Sequence, residues 1–186
     1  MSLRRLLAHE LGIAPGELAF APGPQGKPHL AAPHDILDFN LSHCAHFAVL
    51  GYSRIVDVGV DVESDLKWTD DDVLTTARGT LAPSELSALL ALPAESRGNA
   101  FRCAWTRKEA CVKALGVGLL IEPSSFEVGL TASASRVLLP VGAGRSVALH
   151  VNTLAASEAI SAVVSVAQAP REAVRAMWRE SVATRG

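Results

Sequence analysis

The segment Trp105-Thr-Arg-Lys-Glu-Ala-Cys-Val-Lys-Ala-Leu-Gly116 carries the pattern from which the fold can be read outward. Its apolar residues recur at helical spacing, no proline or glycine interrupts it, and Gly116 supplies the stop that helices favour at their C-terminal end. The spacing predicts a long helix from about Glu95 to Leu115. Glu109 and Lys113 are four residues apart in it and stand one above the other, with Trp105 one turn earlier on the same side. Two readings of that pair stand. A Glu-to-Lys pair at this spacing is a common surface stabiliser of a helix. Beside a buried aromatic stripe, the same groups would furnish a metal carboxylate and a cation for phosphate. Cys103 and Cys111, eight apart in the same pattern, read as core thiols.

Upstream, Gly59-Val-Asp-Val-Glu63 lies in a run that reads as a strand. Residues two apart on a strand share a face, so Asp61 and Glu63 point one way while Val60 and Val62 enter the core. Neighbouring carboxylates repel and lose hydration, a conflict that a hard cation such as Mg²⁺ relieves. The competing reading is an exposed edge strand with solvated acids. Asp38–Ser42 and Phe47–Tyr52 also read as strands, and with Val56–Val62 they suit an antiparallel meander. Residues 2–12 form an amphipathic helix stopped by Gly12, and a proline- and glycine-rich stretch follows it.

Downstream of the acids, Thr69 with Asp70, Asp71 and Asp72 reads as a helix cap and acidic first turn. Pro83 opens a second short helix that Pro93 closes. Strands are expected at Ser125–Leu130, Arg136–Leu139, Ser146–Val151 and Ala159–Val166. A last helix, Arg171–Ala183, would turn Val174, Met177, Trp178 and Val182 inward and Arg171, Arg175 and Arg179 to solvent. This order predicts an α+β fold of two α/β halves, each a small, mainly antiparallel sheet packed by helices. Residues 1–66 would form a shortened N-terminal half and residues 67–186 a C-terminal half with the long helix, together one compact unit.

With 186 residues, 49% of them hydrophobic, the chain can bury a substantial core. No apolar run reaches the roughly 18 residues of a membrane span, and the N-terminus lacks the apolar stretch of an export signal. A net charge of −2 without a basic run gives no attraction to nucleic acid. Three cysteines without a CxxC pair fit a reducing cytoplasm.

Two smaller features carry polar chemistry. Lys27, in Gly26-Lys-Pro28, follows the turn-rich stretch but does not form a phosphate-binding P-loop, because Pro28 replaces the required Ser or Thr. It reads as a solvated turn lysine or as a phosphate contact. Ser42-His43 ends a strand, where polar groups can face a ligand. A zinc site from His43, Cys44 and His46 is disfavoured, since ligands so spaced on a strand point to different sides.

In order, Gly-Lys-Pro (26–28), Phe-Asn-Leu-Ser-His (39–43), Gly-Val-Asp-Val-Glu (59–63), Trp-Thr-Arg-Lys-Glu-Ala-Cys-Val-Lys (105–113) and Gly-Val-Gly-Leu (116–119) resemble the 4′-phosphopantetheinyl transferase superfamily, in its surfactin-type branch. The resemblance runs from about residue 3 to 166. It implies two pseudo-symmetric halves and an enzyme that moves the phosphopantetheine arm of coenzyme A onto a serine of an acyl or peptidyl carrier protein, releasing 3′,5′-ADP. By the match, Asp61, Glu63 and Glu109 would hold Mg²⁺, or Mn²⁺, against the diphosphate. Glu109 would be the base for the carrier serine and Lys113 would stabilise the diphosphate. Lys27, Ser42 and His43 would hold the phosphates of coenzyme A, and Lys108 would lie near the nucleotide.

Surfactin-type members carry a further segment before the helix matched here by residues 3–12, so a shortened first half and a weakened hold on coenzyme A are expected. A monomer or weak dimer is the expected state. Two alternatives accompany the transferase reading: a non-catalytic member that binds coenzyme A or a carrier protein, and an unrelated metal-dependent phosphohydrolase.

Overall fold

The computed structural model describes residues 2–23, 25–44, 47–64, 68–155 and 162–183. Helix α1 (Leu3–Leu11) ends at Gly12, whose left-handed φ of 69° closes it. Its buried face joins Leu18, Leu30, Leu37 and Phe39 in a small core. Strands β1 (Phe20–Pro22) and β2 (Pro28–Leu30) pair antiparallel, as do β3 (Asp38–Cys44) and β4 (Phe47–Ser53).

Strand β5 (Val56–Ser64) leads to α2 (Asp70–Thr80), α3 (Pro83–Leu90) and α4 (Ala94–Leu115). Strands β6 (Ser135–Gly142), β7 (Arg145–Ala155) and β8 (Ala162–Pro170) and helix α5 (Arg171–Ala183) complete the described chain. The fold is α+β with small antiparallel sheets, as the sequence predicts. The helix cap at Thr69 forms as expected, its hydroxyl accepting from the Asp72 amide, and the Asp72 side chain completes a capping box by accepting the Thr69 amide. Among the described residues no helix is long and apolar enough to cross a membrane.

The expected three-strand meander is split. β3 and β4 form their own two-stranded sheet, and β5 enters a four-stranded sheet of order β5-β8-β7-β6. The edge of β5 that faces β3 is met by side chains instead of backbone. Asp38 Oδ2 accepts the Val58 amide at 2.7 Å and Asn40 Oδ1 accepts the Val60 amide at 2.8 Å. These polar residues, two apart on β3, satisfy buried amides that a continuous sheet would have paired.

The strand expected at Ser125–Leu130 does not form. Pro123–Ser125 is a single 3-10 turn, and Gly129 takes a left-handed φ of 79°. The amides of Val128 and Gly129 donate to Glu85 at 2.6 and 2.9 Å, while the Val128 carbonyl accepts from Arg107 at 2.8 Å. Side chains hold this segment where a neighbouring strand would have been needed. Residues 159–161 of the last expected strand lie outside the described residues, as do residues 65–67 at the expected junction of the halves.

Arg171 is not on a solvated face. It bonds Asp57 at 3.0 Å and the Ile36 carbonyl at 2.7 Å, pinning the start of α5 to β5 and to the segment before β3. Arg175 is exposed, and Val174 and Met177 are buried, as predicted. The side chains of Trp178, Arg179 and Val182 lie outside the described residues.

Candidate active site

Helix α4 lies against one face of the four-stranded sheet, and Gly59 permits the approach. A Cβ built there would meet the Ala110 carbonyl oxygen at 2.0 Å and the Ala114 amide nitrogen at 2.3 Å. Only glycine lets β5 pass so close to the helix backbone. Two residues along that face, Asp61 is thereby delivered to Lys113, one turn beyond Glu109.

Asp61 is 3% exposed, which excludes the reading of a solvated edge acid. Its Oδ1 accepts from Lys113 Nζ at 2.5 Å and from Ser42 Oγ at 3.0 Å, whereas its buried Oδ2 has no partner. Lys113 Nζ also lies 3.4 Å from Ser42 Oγ and 3.9 Å from Glu109 Oε2. The Glu109–Lys113 pair is therefore the half-buried edge of a cluster joining α4, β5 and β3, and not an isolated surface staple.

Burial shifts two of the acids. Desolvation pushes Glu63 above the ordinary carboxylate range and the charge of Asp61 pushes it further, against a hydrogen bond from the Trp105 indole. Glu109 is raised by desolvation and then by Asp61, against the pull of Lys113. These carboxylates are short of compensating positive charge.

A cleft of about 300 Å³ opens beside the cluster, lined by Lys27, Asn40, Glu109, Lys113, Gly116 and Pro123 among others. Lys27 is not a free turn lysine. Its ammonium bonds Asp38 at 2.8 Å, the Val58 carbonyl at 3.0 Å and the Ala114 carbonyl at 3.3 Å, so it ties β3, β5 and α4 together at the cleft wall. Ser42 is buried within the cluster, while His43, the next residue along β3, is exposed on the other face.

Lys108 is placed apart from the cleft. It is 1% exposed and points into the core, where its ammonium meets Glu85 Oε2 at 2.8 Å, the Pro123 carbonyl at 2.8 Å and the Phe126 carbonyl. One residue around a helix rotates the side chain by about 100°, so Lys108 and Glu109 serve different sides of α4. The expected position near the nucleotide does not fit this placement.

Sequence reasoning missed Glu85 and Arg107. Glu85 accepts from Lys108 and from three backbone amides; although burial opposes its charge, those bonds hold it below the ordinary carboxylate range. Arg107 is 1% exposed and bonds Val128, Ser133, Thr153 and Ser135. A lysine and an arginine beside the catalytic-type motif, on its far side, were the available signal.

Asp61, Glu63 and Glu109 offer hard oxygen ligands, and the unpartnered Asp61 Oδ2 is the kind of buried atom that a cation satisfies. Among the described residues no three His, Cys, Asp or Glu side chains are gathered to close on an ion as they stand, and the Lys113 ammonium sits in their midst. The donor chemistry fits a hard divalent ion once that ammonium moves.

Comparison with known proteins decides the relationship. The sequence profile of the 4′-phosphopantetheinyl transferase superfamily matches residues 57–164, more than half of the chain, including β5 and all of α4. The chain belongs to the 4′-phosphopantetheinyl transferase superfamily. It is 35% identical over 132 residues to the 4′-phosphopantetheinyl transferase HetI of Nostoc sp., covering 69% of this chain and 54% of that protein. It is 30% identical over 130 residues to a 4′-phosphopantetheinyl transferase of Bacillus subtilis, covering 70% and 55%. A lower likeness, 26% over 128 residues, joins it to 4′-phosphopantetheinyl transferase Sfp of Bacillus subtilis strain 168, over 69% of this chain and 54% of that protein. The chain thus spans about half the length of the curated relatives it matches.

Proposed function

We propose that this protein is a surfactin-type phosphopantetheinyl transferase that moves the 4′-phosphopantetheine arm of coenzyme A to a serine of an apo acyl or peptidyl carrier protein. The observation that carries the reading is the joint between buried Asp61 and the half-buried Glu109 and Lys113 inside the stretch matched to the family. It sets acids and an ammonium beside a cleft, as transfer of a phosphate-bearing group requires.

In this mechanism the carrier serine Oγ forms a bond to the pantetheine-bearing phosphorus as that phosphorus releases the bridging oxygen. The serine proton passes to Glu109, directly or through water, and 3′,5′-ADP departs. Burial raises the basicity of Glu109, which suits a group that must accept a proton near neutral pH. Lys113, carried on a long stem beside the cleft, stabilises the charge gathering on the leaving diphosphate oxygen. Lys27 and Ser42 are assigned to the phosphates of coenzyme A at the cleft, His43 to a phosphate reaching the opposite, exposed face of β3, and Lys108 to the internal bridge with Glu85. Asp61, Glu63 and Glu109 would hold Mg²⁺ or Mn²⁺, which when bound supplies positive charge to the diphosphate. A reducing cytoplasmic setting accords with three free cysteines, two of them buried.

The test combines the protein with coenzyme A, Mg²⁺ and an apo carrier protein and weighs the carrier intact. A gain equal to the phosphopantetheine arm supports transfer. Binding of coenzyme A with no gain on a competent carrier favours the non-catalytic alternative.

A further inference from the structure

We propose that Lys113 is the resident cation of this site and sets its affinity for divalent metal, because a metal ion must displace the Lys113 ammonium from Asp61. The inference rests on the metal-binding reading given above and adds an internal competitor to it.

Asp61 is buried and bonded on one oxygen only. Lys113 and Ser42 share Oδ1, while Oδ2 lies bare in the interior. A buried carboxylate left without positive charge is strongly unfavourable, and Lys113 is the cation that meets it among the described residues. The same ammonium lies 3.9 Å from Glu109 Oε2, so it stands between two of the three acids assigned to the metal. A divalent ion that bridges Asp61 and Glu109 would have to take the place this ammonium holds between them.

Lys113 is also built to leave. Its side chain is 30% exposed, lines the cleft and has a flexible four-carbon stem. Displacement from Asp61 releases the ammonium toward the cleft, where the diphosphate of the proposed substrate would sit. One exchange therefore fills the bare acid oxygen and frees Lys113 for phosphate. Linkage makes the effect reciprocal: whatever holds Lys113 on Asp61 weakens metal binding by the same factor that metal weakens the bridge.

The experiment measures Mn²⁺ binding by electron paramagnetic resonance, without coenzyme A or carrier, for the wild type, Lys113→Met and Lys113→Arg. Lys113→Met should bind about tenfold more tightly, the factor expected when the bridged state outweighs the open one by roughly ten to one. Lys113→Arg, which keeps a cation at Asp61, should stay near the wild type. In the wild type, acetylation of the Lys113 amine, followed by peptide mass, should rise when saturating Mg²⁺ is added. That footprint decides the matter where Lys113→Met fails to fold. Equal or weaker binding by folded Lys113→Met, or an unchanged Lys113 footprint despite measurable metal binding, overturns the inference alone. Absence of Mn²⁺ binding in all three proteins overturns the metal reading and this inference with it.

Discussion

Gly59→Ala is the perturbation that probes the architecture most sharply, because one methyl group is set against the backbone of the helix that carries Glu109 and Lys113. The added Cβ would lie 2.0 Å from the Ala110 oxygen and 2.3 Å from the Ala114 nitrogen, against 3.4 Å or more for an ordinary contact. Neither contact is with a flexible side chain, so α4 and β5 must separate by about 1.4 Å at this point. Overpacking against backbone belongs at the upper end of the usual range, about 3 kcal/mol. Alanine offsets roughly 0.5–1 kcal/mol of this by restricting the unfolded chain. The net loss, about 2–2.5 kcal/mol, lowers the urea midpoint by roughly 1–1.25 M at a slope near 2 kcal/mol/M.

The same shift draws Lys113 and Glu109 away from Asp61. A misplacement of this size costs on the order of 10²-fold in transfer rate. Urea unfolding followed by circular dichroism and carrier modification followed by intact mass give the two readings. A midpoint within error of the wild type, with full transfer, would refute the argument that Gly59 sets the helix-to-strand spacing.

Glu85→Gln leaves Lys108 charged in the core without its partner, a loss of about 3–5 kcal/mol that denaturant unfolding would reveal. The charge-free pair Glu85→Gln with Lys108→Met should recover much of it. Because the folded-state pKa of Glu85 lies below its ordinary 4.5, its stabilisation is present above that value and is lost as pH falls through the folded pKa. Glu63 and Glu109 act in the opposite sense. Their folded pKa values lie above the ordinary 4.5, so the folded protein binds more protons and their contribution declines as pH rises from there through the folded pKa. In metal-free urea titrations Glu109→Gln should flatten that decline, and an unchanged pH profile would contradict it.

The elements that hold the acids were legible in the chain because each follows a local rule. Apolar spacing and Gly116 mark α4, while alternation and a central glycine mark β5. What stayed hidden depended on partners distant in sequence. Lys108 and Glu109 are adjacent in a motif rich in charge, yet helical rotation sends one to the core and the other to the cleft. Glu85 read as an ordinary residue of a short helix, since two of the three amides that donate to it lie more than forty residues away. Ser125–Leu130 has strand-like composition, but its amides and carbonyls are taken by Glu85, Arg107 and Lys108. The meander over residues 38–62 failed for a related reason. Asp38, Asn40 and Ser42 alternate on β3, and that polar side faces β5 instead of pairing with it through backbone.

Intact-mass analysis of an apo carrier protein, incubated with coenzyme A, Mg²⁺ and either the wild type or Glu109→Ala, tests the central claim most directly. The account predicts that the carrier gains the mass of the phosphopantetheine arm with the wild type and not with Glu109→Ala, whose fold remains intact by circular dichroism. Transfer by Glu109→Ala at the wild-type rate, or no gain with the wild type on a carrier that a known transferase modifies, would contradict it.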